Sequence, residues 1–317
     1  MKTGKSVCKR SVFYIIIEQR DLPKKGVRDM YKLFCDTNCE LWYTEAESFG
    51  LHVIRMPYVL DGKEYCYDLG KETDFAHFYK RMREGAVPTT SAINEQDYID
   101  YFEPILAAGD DIFYVTFSHK LSATFESMDR AIAALKEKYP ERQIRTFDTK
   151  SISLGAGYQV RIAAEKYNAG ASMDELENCL NEARDRTHVY FVVDDLVYLK
   201  RGGRISAVTM AFGKLLGIKP LITVMPDGSL QSVGKIKGSK KVYAEFIRLM
   251  KEDGFDKDMR VEVLQADCPE SGEGFVSALK EAFGDIKIDY QIVGPVIASH
   301  CGPGTLGLIF YGNKKKG

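Results

Sequence analysis

Three stretches of this chain place small hydroxyl residues where an apolar run gives way to a helical one: Thr89-Thr90-Ser91-Ala92-Ile93-Asn94, Thr116 through Ser118 and Ser122 to Thr124, and Asp148-Thr149-Lys150-Ser151-Ile152-Ser153. In an open parallel sheet such loops gather at the carboxyl edge, where helix N-termini present free N–H donors to an anion. One such Ser or Thr caps its own helix, whereas the recurrence points to a hydroxyl-lined anion pocket. Two further segments add cationic and imidazole groups. Tyr198 to Ser206 carries Gly202 and Gly203, which let backbone approach a ligand, and Arg204, whose guanidinium can fork onto an oxyanion. Gly294 to Gly307 surrounds His300 with glycine and proline, the pattern of a rigid loop that fixes an imidazole. The sequence holds no G-x-S-x-G elbow, no Walker A motif and no closely spaced His and carboxylate cluster, so neither a metal nor a cofactor is expected.

The elements that must position these loops follow from apolar periodicity. From about Lys32 onward, short apolar runs alternate with segments of helical period, which predicts a largely parallel sheet covered by helices. Strands are expected at 32–35, 52–56, 112–115 and 143–147. Asn94 caps a helix carrying Tyr98, Phe102 and Ile105 on one face, with Pro104 expected to disturb its last turn. Ser172 with Glu175 forms a capping box. A second domain opens with the strand 189–193, followed by a hairpin from 221 to 233 turned at Asp227-Gly228, a helix at 241–251, a strand at 260–265, a helix at 275–283 and a strand at 286–292. The expected architecture is two α/β domains, a parallel-sheet N-terminal domain over 32–186 and a smaller mixed-sheet C-terminal domain over 187–317. The ligand site lies between them, and residues 1–31 form an N-terminal extension.

Bulk composition narrows the class. The chain has 317 residues, is 45% hydrophobic and 28% charged, and its 44 basic and 45 acidic residues leave a net charge of -1. A near-neutral balance provides no field to attract nucleic acid or an anionic membrane. The longest early apolar run, Val12 to Ile17, is too short to span a bilayer, so no stable membrane insertion is expected. Seven scattered cysteines without C-x-x-C spacing fit reduced thiols and a cytoplasmic protein.

These same segments resemble the signature stretches of the DegV family, which includes the fatty-acid-binding subunits of bacterial fatty acid kinase. The similar segments are Asp36 to Leu41, Thr90-Ser91, Ser118 to Thr124, Asp148 to Ser151, Leu199 to Ser206 with Gly217 to Pro220, and Gly294 through His300 to Gly307. Departures occur at Ala92-Ile93-Asn94, at His119-Lys120 and Ala123, and at Gln265. The resemblance implies that Thr90 with Ser91, and Ser118, hydrogen-bond the carboxylate of a long-chain fatty acid, with His300 and Arg204 at the mouth. It also implies an apolar acyl tunnel between the domains, for which the apolar helical stripe after Ser206 offers Phe212, Leu215 and Leu216 as candidate wall residues, with Ile297 near the mouth. A separate ATP-dependent kinase subunit would phosphorylate the bound carboxylate to an acyl phosphate, docking on a basic surface of Lys200, Arg201, Lys235, Lys237, Lys240 and Lys241. Burying each methylene is worth ~0.8 kcal/mol, so a dozen contribute on the order of 10 kcal/mol against association costs of about 4 to 15. The tail drives binding and the head group sets orientation. The rival reading is a serine hydrolase or acyltransferase using Ser118 or Ser122 with His300 as base.

Overall fold

The computed structural model describes residues 31–204 and 217–315. Phe212, Leu215 and Leu216, expected on the acyl wall, fall outside the described residues. The first half runs β1 (Tyr31–Asp36), a 3-10 turn (Thr37–Cys39), α1 (Tyr43–Phe49), β2 (His52–Ile54), β3 (Pro57–Leu60), β4 (Lys63–Cys66), α2 (Phe75–Arg83), β5 (Thr89–Thr90), α3 (Glu95–Ala107), β6 (Asp111–Thr116), α4 (Thr124–Lys138), β7 (Ile144–Asp148), α5 (Leu154–Asn168) and α6 (Met173–Arg186). Four of its strands form a parallel sheet in the order β2-β1-β6-β7. Every residue of β6 is buried, as a central strand covered on both faces requires. The Ser172–Glu175 capping box forms as expected, and Asn94 caps α3 as expected, there completing a box with Asp97. α3 continues through Pro104 to Ala107, because burial of Ile105 and Leu106 outweighs the hydrogen bond that the proline cannot donate.

The second half runs β8 (Thr187–Val192), α7 (Val197–Arg201), β9 (Ile218–Val224), β10 (Leu230–Lys237), α8 (Ser239–Glu252), β11 (Val261–Gln265), α9 (Pro269–Phe283), β12 (Ile288–Ile292), α10 (Pro295–Cys301) and β13 (Leu306–Tyr311). These strands form a mixed sheet in the order β10-β9-β8-β13-β11-β12. Period-two alternation divides its side chains between two cores. Val261, Val263, Leu308 and Phe310 pack with Phe246 of α8 and Phe275 of α9, while Leu264, Ile309 and Val189 face the first half.

Three local expectations are corrected. The Gly294–Gly307 segment is not a loop throughout. Pro295 starts α10 at its first position, Gly302 ends it at a φ of 78°, and β13 follows, pairing with both β8 and β11. The proline and glycines bracket a helix instead of preventing one. α9 starts at Pro269 rather than near 275, again with proline at the helix start. Thr89–Thr90 does not follow a strand of the parallel sheet. It pairs with β3 in a separate antiparallel sheet of order β4-β3-β5, with Thr90 opposite Tyr58. The thiol expectation holds for Cys35, Cys39, Cys179, Cys268 and Cys301 but not for Cys66, which is disulfide-bonded.

The two halves meet through α5, whose first turns are almost wholly buried. A Cβ on Gly157 would collide with the carbonyl of Cys39, so only glycine lets the helix sit this close to the turn after β1. Arg161 of α5 bridges Glu45 of α1 and the fully buried Glu262 of β11, each at 2.5 Å. Glu40 accepts the Gly294 N–H at 2.8 Å, and the Tyr79 hydroxyl donates to the Val293 carbonyl at 2.6 Å. These bonds hold α10 over the carboxyl edge of the parallel sheet.

Candidate functional site

Between that edge and the inner face of the mixed sheet lies a cavity of about 110 Å³. Its walls are mostly apolar. Phe117, Leu121 and Ile152 come from loops after β6 and β7, and Val189, Leu264 and Ile309 from the mixed sheet. Leu199 of α7, with Val296 and Ile297 of α10, closes the remaining side. Ile297, named for the acyl wall, is among the residues that line this cavity. A second hollow of about 180 Å³, beside α1 and β2, holds none of the expected site residues.

Polar groups concentrate where β5, α7 and α10 converge. His300 sits in the last turn of α10, and its Nε2 lies 2.9 Å from the Thr90 hydroxyl. Burial, and then the charge of Arg204, push the His300 imidazole down to about 4, so it is neutral at pH 7. Its Nδ1 is buried without a partner and faces Gly202, where a Cβ would collide with it. That contact explains the glycine after α7. Arg204 donates from Nε to the Leu121 carbonyl at 2.9 Å and from Nη1 to the Gly202 carbonyl. Burial lowers its pKa, and among the described residues no carboxylate pairs with it. A half-buried guanidinium without a counter-ion, beside a neutral imidazole and a hydroxyl, is an environment in which a ligand's anion is stabilised.

Thr90, Ser91, Arg204 and His300 all reach the cavity wall, Ser91 from an exposed position at the rim. Ser118 does not. Its hydroxyl donates to the Gly228 carbonyl at 2.8 Å and accepts the Lys120 N–H at 3.2 Å, so it fastens the β9–β10 turn to the loop after β6. The hydroxyl that lines the cavity from that loop is Ser122, four residues on, where the backbone has turned inward after a short 3-10 segment at His119–Leu121. Asn38 and Ser153 also line the wall, and their polar role was not foreseen, although both lie in segments noted for their composition. Among the described residues no group of three or more His, Cys, Asp or Glu is arranged to hold a metal ion. None of their helices is long and apolar enough to cross a membrane.

The geometry also bears on the hydrolase reading. Neither candidate serine is bonded to His300, whose partner is Thr90. An imidazole held near 4 is moreover a weak proton acceptor at neutral pH.

Residues 30–313 match the family model described as "Uncharacterised protein, DegV family". A DegV domain-containing protein of Clostridium perfringens is 35% identical over 289 residues, covering 90% of this chain and 99% of the relative. Among solved structures, a DegV family protein from Thermus thermophilus, whose description concerns fatty acid binding, is 28% identical with a TM-score of 0.79, covering 89% of this chain and 99% of that one. A DegV lipid-binding protein from Thermotoga maritima is 26% identical with a TM-score of 0.77, covering 90% and 99%.

Proposed function

Given that this chain belongs to the DegV family, we propose that it binds a long-chain fatty acid in the cavity between its halves and presents the carboxylate to a partner kinase. The observation that carries this reading is the Thr90–His300 contact beside Arg204, which no carboxylate among the described residues pairs, at the polar end of an otherwise apolar cavity. Thr90, Ser91, Ser122, Arg204 and His300 hold the carboxylate, which satisfies a buried negative charge with hydroxyl, imidazole and guanidinium donors. The tail lies against Leu199, Ile297 and Ile309. The volume of about 110 Å³ is below the roughly 300 to 1,000 Å³ usual for small-molecule sites, so the walls part as a long chain enters.

The rest of the proposal concerns the setting. Residues 32–186 and 187–317 act as two domains of a cytoplasmic protein. A separate ATP-dependent kinase subunit docks on the exposed basic face near Lys200, Arg201, Lys237, Lys240 and Lys241 and converts the carboxylate to an acyl phosphate. The lone chain then shows no ester hydrolysis. The experiment is mass spectrometry of the organic extract of purified, denatured protein. The reading expects long-chain fatty acids at close to one per chain; an extract free of lipid, with no uptake of added oleic acid, overturns it.

A further inference from the structure

Away from the His300 end, the cavity wall carries two polar groups that the carboxylate clamp does not use. Asn38, in the turn after β1, is 3% exposed, and its Oδ1 has no hydrogen-bond partner. Ser153, in the loop after β7, is 7% exposed, and its Oγ has none either. Both residues line the cavity. By contrast Thr305, another hydroxyl on that wall, is satisfied by the carbonyls of Cys301 and Gly302. Among the described residues, the one other partnerless buried polar atom of a wall residue is Nδ1 of His300, which belongs to the clamp.

Ser153 is unusual in two further respects. It is the N-cap of α5, the position where serine ordinarily turns its hydroxyl onto the first free N–H groups, yet its side chain makes no cap bond. Its backbone lies at φ 56°, ψ -146°, a conformation that costs an L-residue strain. This residue of the cavity wall leaves its own helix uncapped and holds a strained backbone, with its hydroxyl buried and unpartnered. Asn38, in the turn that packs against α5, adds an amide oxygen without a partner. Orphaned buried polar groups are rare in native proteins and call for a partner.

We infer that Asn38 and Ser153 form a second hydrogen-bonding subsite, made for an oxygen carried on the acyl chain, so that the ligand class includes hydroxylated long-chain fatty acids. The inference rests on the fatty-acid reading and extends it. A chain hydroxyl has the complementary chemistry for both groups, an O–H to donate to Asn38 Oδ1 and an oxygen to accept from the Ser153 hydroxyl. An unsubstituted chain leaves both groups unpaired.

The test is binding of stearic acid and of a set of monohydroxylated stearic acids, differing in hydroxyl position, to the wild-type protein, Ser153→Ala and Asn38→Leu. Ser153→Ala keeps the Cβ and hence the backbone strain, and Asn38→Leu keeps the volume, with thermal unfolding confirming that each variant is folded. At one hydroxyl position the wild-type protein is expected to bind the hydroxy acid at least as tightly as stearic acid. At that position each variant is expected to lose roughly tenfold, while its affinity for stearic acid is unchanged or improved. If every hydroxy acid binds more weakly than stearic acid, to the same degree in all three proteins, the subsite is refuted and the fatty-acid site stands. If stearic acid itself fails to bind the wild-type protein, the underlying reading fails.

Discussion

The two polar regions of this cavity are built in opposite ways. At the His300 end each group is held by another: Thr90 by His300, Arg204 by the carbonyls of Leu121 and Gly202, and Ser122 by the Thr124 N–H. At the other wall, Asn38 Oδ1 and Ser153 Oγ are without partners and the Ser153 backbone is strained. Their electrostatics diverge as well. Burial and Arg204 push the His300 imidazole down to about 4, whereas burial raises the carboxyls on either side of Asn38, Asp36 to about 7 and Glu40 to about 8. Both are consequences of desolvation, which disfavours whichever form is charged. One region is thus preorganised for an anion, while the other, which offers no cation among the described residues and whose carboxyls are pushed towards their neutral form, suits a neutral, hydrogen-bonding part of a ligand.

Substitutions can separate the two regions, and the largest effect belongs to the clamp. His300→Ala is expected to weaken fatty-acid binding by roughly 10- to 100-fold, the value of hydrogen bonds to a charged group, as measured by calorimetry. Equal losses for His300→Ala and Asn38→Leu with an unsubstituted chain would erase the distinction. Next is Gly202→Ala, which leaves every clamp residue in place but puts a methyl group where His300 Nδ1 stands. Displacing the imidazole is expected to cost about tenfold in affinity. A smaller pair of effects distinguishes the two serines. Ser122→Ala should weaken binding by about fivefold, whereas Ser118→Ala should change it by less than about twofold but lower stability by about 1 kcal/mol through loss of the bond to Gly228.

The smallest effect concerns pH. Asp36 and Glu40 have folded pKa values raised above their ordinary 3.8 and 4.5, so the stability they contribute is complete below those values and is lost as pH rises through about 7 and 8. His300 acts oppositely. Its folded value lies below the ordinary 6.5, so its charging costs stability as pH falls from 6.5 towards 4. Between pH 6.5 and about 8 the raised carboxyls of Asp36, Glu40 and Glu262 act in the same direction, and the melting temperature of the ligand-free protein should fall. Glu40→Gln should flatten that slope, and an unchanged slope in calorimetric scans would show that Glu40 does not titrate there.

Much of this was legible in the sequence. Capping residues are local signals, so Asn94 and Ser172 gave α3 and α6 their starts. The family resemblance brought Thr90, Arg204 and His300 together although they lie far apart in the chain, and the cavity does the same. Other features were hidden for identifiable reasons. The β3–β4 hairpin has the Asp61-Gly62 pair at its turn, both at positive φ, but the strands are short and the signal went unread. Glycine-rich surroundings masked α10 and β13, because glycine and proline mark helix ends as readily as loops. The exchange of Ser118 for Ser122 was beyond sequence reasoning. Which of two hydroxyls four residues apart faces inward depends on the turn between them and on the β9–β10 hairpin that takes up the first. The role of Asn38 and Ser153 rests on missing partners, and a missing hydrogen bond leaves no trace in a sequence.

The central claim is that a fatty acid lies in this cavity with its carboxylate at His300 and Thr90. A crystal structure of the protein with bound oleic acid tests it most directly. The expected result is a carboxylate oxygen at about 3 Å from His300 Nε2 and from the Thr90 hydroxyl, with the chain running past Ile297 and Leu199. A carboxylate bound elsewhere, or a chain lying outside the space between the two sheets, would contradict it.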